Sequence, residues 1–216
     1  YLFEIEHFDS HLYQMISFLK EKGELENTFI VVTADNGMPF PFAKANLQEF
    51  GTHVPLAISM PSTVISKKQV YELVGLIDIT PTILELVNLS GSISTTGKSL
   101  MPILTQEDHP KHREFILTGR ERHTHARPDN LGYPARAIRT EDYLYVYNFH
   151  PDRWPAGDPV LKNNENDKRN SVAGFKSFYP GYHDVDPSPS KTIVMELENS
   201  KDNKDFFDLA FAKRVQ

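Results

Sequence analysis

Two short apolar runs on either side of a polar loop constrain the fold more than any other feature of the sequence. The first run, 29–32, is rich in β-branched residues, and a similar run follows at 54–58. Apolar runs of this length that are bounded by turn residues are typical of buried strands. The loop between them opens with Asp-Asn-Gly at 35–37 and carries a lone lysine, Lys44. We therefore predict oxygen ligands and a cation at the end of a strand, as open parallel sheets present their sites.

Helical periodicity surrounds these two strands. Apolar residues recur at helical spacing over 1–22, and Gly23 is placed to end that helix. The same spacing predicts a helix over 66–77 and another over 80–89, where Thr80-Pro81 supplies an N-cap and a proline at the first helical position. A helix, a short loop and a buried strand form an α/β unit.

The pattern changes to short strands after residue 113. A strand is predicted at 114–118, and the runs 135–140 and 143–148 alternate with period two, which is typical of a β-hairpin. These segments predict an antiparallel sheet and therefore a separate layer or subdomain.

The remainder of the chain is predicted to be less regular. Residues 150–190 are rich in Pro, Asn, Gly and Asp, and we interpret them as an ordered but irregular excursion. Two short helices are predicted after it, one over 191–198 with Ser190 as its N-cap and one over 205–213.

The bulk composition limits the class of protein. With 216 residues the chain divides into a predicted α/β domain over 1–108 and an antiparallel subdomain over 109–216. A net charge of −6 argues against nucleic acid as the main partner. No apolar run approaches the roughly 18 residues needed to span a bilayer, and without cysteine there is no disulfide or thiolate–metal site. Because Tyr1 begins directly in a predicted helix, we expect a fragment of a longer protein.

The residues of the polar loop suggest their chemistry. Asp35 and Asn36 offer a carboxylate and an amide oxygen side by side, and oxygen-only ligation suits Ca²⁺ or Mg²⁺. Lys44 is a compact cation that can reach an anionic group bound at such a metal. The alternative is an ordinary turn followed by a solvated lysine.

Several motifs, in order along nearly the whole chain, resemble the type I sulfatases of the alkaline-phosphatase-like superfamily. They are Val31-Val32-Thr33-Ala34-Asp35-Asn36-Gly37, Lys44, Gly51-Thr52-His53-Val54-Pro55-Leu56, Leu76-Ile77-Asp78-Ile79-Thr80-Pro81-Thr82, and Tyr133-Pro134 with Arg136-Ala137-Ile138-Arg139-Thr140. The Pro39-Phe40-Pro41 loop and the residues 44–47 are similar more narrowly to the heparan N-sulfatase branch. The resemblance implies the C-terminal part of the sulfatase α/β fold with a smaller antiparallel α+β subdomain.

The resemblance also implies roles for residues of the loop. Asp35 and Asn36 would be two of the protein ligands of a Ca²⁺ ion. Lys44 would bind a sulfate oxygen and stabilise charge on the leaving oxygen or nitrogen. His53 stands where an arginine is more common, and we expect it either to line the pocket or to be structural.

A second group of candidates lies in the segment 119–127, which is rich in arginine and histidine. Arg120 and Arg127 are predicted to bind a carboxylate or sulfate of an acidic sugar. His123 is the first candidate for a substrate contact near the sulfur. A solvated loop with internal ion pairs is the alternative, and a zinc site at His123 and His125 is a weak one because no third ligand follows.

The sequence lacks other parts that the resemblance implies. The nucleophile of such sulfatases is a formylglycine made from Cys or Ser in a short motif, and neither that motif nor the expected Asp-Asp pair of metal ligands is present. The family order places both before Tyr1. We therefore expect half an active site, a chain that is inactive and binds Ca²⁺ weakly by itself, and a missing N-terminal portion as its partner.

For the parent protein, the resemblance implies hydrolysis of a sulfate ester or sulfamate on a heparan-type glycan. Hydrated formylglycine would attack sulfur, Ca²⁺ and Lys44 would screen the sulfate charge, and a histidine would protonate the leaving group. Family likeness also implies a periplasmic, lysosomal or secreted enzyme. Two alternatives stay open at this point: a phosphatase or phosphodiesterase of the same superfamily, and a non-catalytic glycan-binding module.

Overall fold

The computed structural model describes residues 1–65, 69–123, 127, 130–159 and 181–213, together with the backbone of 171–172 and 175–176. The chain divides into two compact units. The first comprises residues 1–33 and 55–114, and the second comprises 34–54 and 115–216. The division at 108/109 stays a prediction.

The first unit begins with the predicted long helix. This helix, α1, spans Leu2–Glu21 and is followed by a 3-10 turn at Leu25–Asn27 and strand β1 at Ile30–Thr33. Strand β2, Leu56–Ser59, pairs directly with β1. None of the helices in the described part of the chain combines the length and the apolar character needed to cross a bilayer.

The parallel arrangement expected for these two strands is wrong for this pair, because β1 and β2 are antiparallel neighbours. Parallel neighbours need a crossover, usually a helix, that carries the chain back along the sheet. The connection here contains only a one-turn helix, α2, at Glu49–Thr52. The chain instead re-enters the sheet where it left it, and the Thr33 hydroxyl donates to the carbonyl of Pro55 at 2.8 Å.

The first unit continues with a 3-10 turn at Leu76–Asp78, helix α3 at Ile79–Leu86 and helix α4 at Met101–Thr105. The helix predicted over 66–77 is wrong for residues 69–75, which are irregular; residues 66–68 lie outside the described part. At the end of this stretch, the Asp78 carboxylate accepts the backbone N–H of Gly75 at 2.9 Å, which withdraws that group from a helical hydrogen bond.

The second unit contains the predicted hairpin within a three-stranded antiparallel sheet. Its strands are β3 at Ile116–Arg120, β4 at Ala135–Arg139 and β5 at Leu144–Asn148, in the order β3-β4-β5. Alternate residues of β4 are buried, and two of them form an apolar cluster with Leu47. Strands β6, Ser171–Val172, and β7, Phe175–Lys176, form a separate two-stranded sheet.

The second unit ends with two short helices, which lie near their predicted positions. Helix α5 spans Pro189–Glu196, a 3-10 turn follows at Leu197–Asn199, and α6 spans Lys204–Phe211. The N-cap of α5 is Ser188, not Ser190, because Pro189 occupies the first turn and the Ser188 hydroxyl accepts the Lys191 N–H.

The aromatic core of the second unit lies around Tyr182, with Phe207 and Phe211 as its buried partners. Trp154 packs against the same cluster, so its indole ring belongs to the core.

Candidate active site

The loop between β1 and β2, residues 34–54, is closed by two glycines, and we call it the Lys44 loop. The N–H of Gly37 donates to the carbonyl of Gly51 at 3.2 Å. A Cβ atom at Gly37 would lie 2.0 Å from the carbonyl oxygen of Phe50, and one at Gly51 would lie 2.3 Å from that of Asn46. Because no side chain fits at either contact, both positions require glycine.

The predicted metal ligands open this loop directly after β1. Asp35 is exposed and Asn36 is half-buried, and neither side chain has a recorded partner within the described residues. An exposed carboxylate beside an amide oxygen is the donor set that a hard cation takes. The same part of the chain holds no group of three or more His, Asp or Glu side chains able to hold a metal ion. The pair fits a Ca²⁺ site, therefore, but supplies only part of it.

Lys44 is held in a strained turn of the loop. Its neighbours Phe42 and Ala45 both have left-handed backbone conformations, with φ of 66° and 64°. Such conformations are costly for residues other than glycine and persist only when the surroundings fix them. The Lys44 ammonium donates to a carboxylate oxygen of Asp186 at 2.9 Å, and about a third of each side chain is exposed. The lysine is therefore a positioned cation rather than a solvated one.

The segment 181–186 brings three of the predicted residues together. Asp186 pairs with Lys44. Asp184, only 2% exposed, accepts two hydrogen bonds from Arg127 through its carboxylate. The backbone carbonyl of Asp184 lies 3.1 Å from Nδ1 of His123. This segment lies within the stretch that is predicted to be irregular, and it positions these three residues of the candidate site.

The imidazole ring of His123 is held by the segment 181–186. A carbonyl oxygen can only accept, so the contact with Asp184 assigns the proton to Nδ1 of His123. Nε2 is then left to bind or release a proton, with the ring held in a fixed orientation. His125, the second member of the weak zinc hypothesis, lies outside the described residues.

The side chain of Arg127 forms hydrogen bonds with other residues of the chain. It is 4% exposed and, besides Asp184, it donates to the carbonyl oxygens of Trp154 at 2.6 Å and Pro155 at 3.0 Å. Its guanidinium also lies 5.1 Å from the ring centre of Tyr133. Substrate binding by Arg127 stays a prediction, and the contacts give it the role of fixing Asp184.

His53 lies at the end of α2 and is 77% exposed. Its Nδ1 atom lies 2.8 Å from Glu49, which also lies 3.4 Å from Arg139. The described structure records no contact of His53 with Lys44 or with the segment 181–186. Its membership of the pocket stays a prediction.

Arg120, at the end of β3, lies beside the same tyrosine as Arg127. Its guanidinium is 5.3 Å from the ring centre of Tyr133, and Nη2 is 3.4 Å from the carbonyl oxygen of Pro155. Burial lowers the pKa of Arg120, an effect that the carboxylate of Asp184 opposes. With no close ion pair of its own in the described residues, Arg120 suits the predicted role of binding an anion.

Lys191 was not identified from the sequence, although it anchors the segment 181–186. It is 4% exposed, and its ammonium donates to the carbonyl oxygens of Gly181, Tyr182 and Val185 at 3.0, 3.0 and 3.1 Å. A lysine in the first turn of a short helix carries no signal for this role. Three carbonyl bonds from one side chain fix the curvature of the chain on both sides of Asp184.

The contribution of Lys191 to stability is expected to rise with pH. Burial lowers the pKa of Lys191 from 10.5 to about 8, against an opposing effect of Asp186. Between those values the unfolded state binds more protons than the folded state, so raising the pH favours folding. The stability difference between wild type and Lys191→Met, measured by urea unfolding, is expected to grow by about 2 kcal/mol from pH 8 to pH 10. A constant difference would contradict this, and Lys201→Met, at an exposed position, is the control.

Comparisons with known proteins agree with the motifs. Residues 1–89 match the family model described as Sulfatase. The chain is 32% identical over 142 residues to N-sulphoglucosamine sulphohydrolase of Homo sapiens, covering 61% of this chain and 27% of that protein. It is 36% identical over 116 residues to N-acetylglucosamine-6-sulfatase of Homo sapiens, covering 50% and 21%. The chain thus spans about a quarter of the length of these relatives.

A solved structure of a protein in complex with its substrate D-glucosamine-2-N,6-O-disulfate has the same fold. The superposition has a TM-score of 0.54 and covers 67% of this chain and 32% of that one, at 23% identity. The resemblance drawn from the motifs is supported over residues 1–89, which match the Sulfatase family model, and the chain shares its fold with that solved structure.

Proposed function

We propose that the protein to which this chain belongs hydrolyses sulfate esters or sulfamates on a sulfated glycan. The observation that carries the proposal is Lys44, a positioned cation in a glycine-closed loop that opens with Asp35 and Asn36. The relatives that support it are named for sulfated glucosamine compounds, the N-sulphated and the 6-sulfated forms.

We propose that Asp35 and Asn36 supply two oxygen ligands to a Ca²⁺ ion. When bound, the ion would supply positive charge to the sulfate oxygens. The other ligands and a formylglycine nucleophile are not among the residues of this chain, and we infer that they belong to another part of the same protein. The chain by itself is accordingly proposed to be inactive.

Within this chain, Lys44 would donate hydrogen bonds to the sulfate and the leaving group, and His123 would protonate the leaving group. An ammonium has three protons, of which Asp186 accepts one, so Lys44 retains donors for a sulfate oxygen and for the leaving oxygen or nitrogen. His123, protonated at Nε2, would donate that proton to the leaving atom as its bond to sulfur breaks. The bond from Nδ1 to Asp184 keeps the ring in place through the transfer.

Replacing Lys44 by alanine in the full-length protein is expected to lower kcat about 100-fold towards an N-sulfated or 6-O-sulfated glucosamine substrate. A fixed positive charge stabilises the transition state, where negative charge develops, more than it stabilises the bound substrate. The substitution therefore lowers kcat more than it changes KM. Lys111→Ala is the matched control, because Lys111 is an exposed lysine whose ammonium pairs with Glu114 at the surface.

Three outcomes would contradict the proposal. Sulfate release by the Lys44 variant at the wild-type rate would remove the lysine from the mechanism. Faster turnover of phosphate esters than of sulfates by the wild type would favour a phosphatase. Glycan binding without turnover, unchanged by Asp35→Ala and Lys44→Ala, would favour a non-catalytic module.

A further inference from the structure

A cavity of about 280 Å³ in the second unit is lined by the residues that follow Lys44 in its loop. Asn46 and Gln48 form part of its wall, and Arg120 and Tyr133 form another part. Its floor is the apolar cluster around Leu47. The combination of side-chain amides, an arginine and an apolar floor is that of a site for a small polar ligand rather than of a packing defect.

The guanidinium of Arg120 is the unusual feature of this cavity. Its Nε atom is buried and has no hydrogen-bond partner in the described part of the chain, and its one recorded hydrogen bond, to Pro155, is long at 3.4 Å. The nearby carboxylate of Asp184 accepts both hydrogen bonds of Arg127 at its Oδ2 atom, and no hydrogen bond from Arg120 to Asp184 is recorded among the described residues. An unpartnered charged donor is costly, and Arg120 lines the cavity, so its guanidinium has the capacity to bind an acceptor that enters there.

The orientation of Arg120 is fixed before any ligand arrives. The two guanidiniums of Arg120 and Arg127 lie 5.3 and 5.1 Å from the ring centre of Tyr133. Contacts between a guanidinium and an aromatic ring favour a defined placement of the fork-shaped group of donors. A fork held in this way matches the two oxygens of a carboxylate or of a sulfate.

The cavity is connected to the candidate active site through the loop itself. The side-chain amide of Asn46 donates to the backbone carbonyl of Lys44 at 3.3 Å. Two residues of chain span at most about 7 Å, so the wall of the cavity begins within that distance of the Lys44 backbone. The cavity and the loop residue Lys44 are therefore neighbours along the backbone, and we infer that one extended ligand reaches both.

We propose that this cavity binds a second anionic group of the substrate, a carboxylate or a sulfate other than the one cleaved, through Arg120. The inference rests on the proposed glycan sulfatase function and refines it, because it makes Arg120 a determinant of specificity for polyanionic glycans. The amides of Asn46 and Gln48 would bind hydroxyl groups of the sugar unit that carries this second anion.

The kinetic test compares three substrates of the full-length protein. They are N-sulfated glucosamine, N,6-O-disulfated glucosamine, and N-sulfated glucosamine linked to a uronic acid, with the carboxyl-reduced form of the last as reference. Arg120→Gln is expected to raise KM at least tenfold for the substrate whose second anion occupies the cavity, with kcat little changed. It should leave the monosulfated and carboxyl-reduced compounds unaffected. The substrate that responds identifies the second anion as sulfate or carboxylate.

Two variants separate a specific role from a general one. Arg122→Gln is the matched control, because Arg122 is an exposed arginine two residues further on that donates to Asn130. Arg120→Lys keeps the charge without the fork and is expected to give a KM between those of the wild type and Arg120→Gln. An equal KM for wild type and Arg120→Gln on every substrate, or an equal loss on all of them, would overturn the proposal.

A binding measurement separates this proposal from the proposed function. The Nε–Hε NMR signal of Arg120 in the full-length protein is expected to shift downfield on titration with an unsulfated uronate disaccharide or with inorganic sulfate, because the unpartnered donor gains an acceptor. If the protein cleaves no sulfate and the signal still shifts, the sulfatase function fails and the anion site stands. If sulfates are cleaved and neither probe moves the signal, the anion site fails alone.

Discussion

Replacing Asp78 by alanine is expected to lower the free energy of unfolding by about 3–5 kcal/mol. The Asp78 carboxylate is fully buried and accepts the backbone N–H groups of Gly75 at 2.9 Å and Lys98 at 2.7 Å. It also pairs with the side chains of His112 and Arg113. Alanine would leave all of these donors without their acceptor, and the loss of a buried partner costs more than the bond itself contributed.

The same substitution would remove one of the connections between two parts of the first unit, the hydrogen bond from the Lys98 N–H to the Asp78 carboxylate. Asp78 begins helix α3, and its backbone carbonyl accepts the Thr82 hydroxyl, which in turn accepts the N–H of Leu100. Lys98 and Leu100 precede helix α4, so the residues around Asp78 connect both helices. Urea unfolding followed by circular dichroism measures the loss. Asp108→Ala, at an exposed position, is expected to stay within about 0.5 kcal/mol of wild type.

The pH dependence provides a second check on Asp78. Burial by itself would raise the pKa of Asp78, but the hydrogen bonds from Lys98, Gly75, Arg113 and His112 outweigh it, and the pKa lies below 3.8. An acid with a lowered folded-state pKa contributes stability above its unfolded pKa and loses it as the pH falls through the folded value. The difference in the free energy of unfolding between wild type and Asp78→Ala is therefore expected to become smaller below pH 3.8. If this difference is the same at pH 2 as at neutral pH, Asp78 is not ionised in the folded protein and the prediction is wrong.

Elements whose signal lies within a few neighbouring residues were predicted correctly from the sequence. Helix α1 and the hairpin β4–β5 agree with their predicted bounds to within one residue at either end. In both cases, the period of the apolar residues matches the geometry of the element. The prediction of a helix over 66–77 is wrong at its end, where the side chain of Asp78 accepts the N–H of Gly75. The spacing of apolar residues carries no information about such a hydrogen bond.

The arrangement of the candidate site could be predicted only in part. Asp35, Asn36 and Lys44 belong to one short loop, and their residue types suffice to suggest a metal and an anion. The partners that position the site residues lie far away in the sequence: Lys44 and Asp186 are 142 positions apart, and Arg127 and Asp184 are 57 positions apart. No local pattern relates positions so distant, and a Pro- and Asp-rich segment is interpreted as a loop until its partners are seen.

Replacing Arg127 by methionine is also expected to cost about 3–5 kcal/mol of unfolding free energy. Asp184 is 2% exposed, and its Oδ1 atom already has no hydrogen-bond partner within the described residues. Without Arg127 the carboxylate would be a buried charge without its ion-pair partner. Asp184→Leu should cost a similar amount, because it leaves the Arg127 guanidinium buried with carbonyl acceptors alone.

The double variant Arg127→Met with Asp184→Leu distinguishes a pair that merely holds the chain together from one that binds substrate. Removing both buried charges should recover at least half of the stability lost in either single variant. Catalysis should recover with it, because Asp184 holds His123 through its backbone carbonyl, which the leucine retains, and Asp186 still faces Lys44. If stability returns while kcat/KM towards the sulfated glycan stays low, Arg127 contacts the substrate, as the sequence first suggested. If both return together, Arg127 acts only by fixing the segment 181–186.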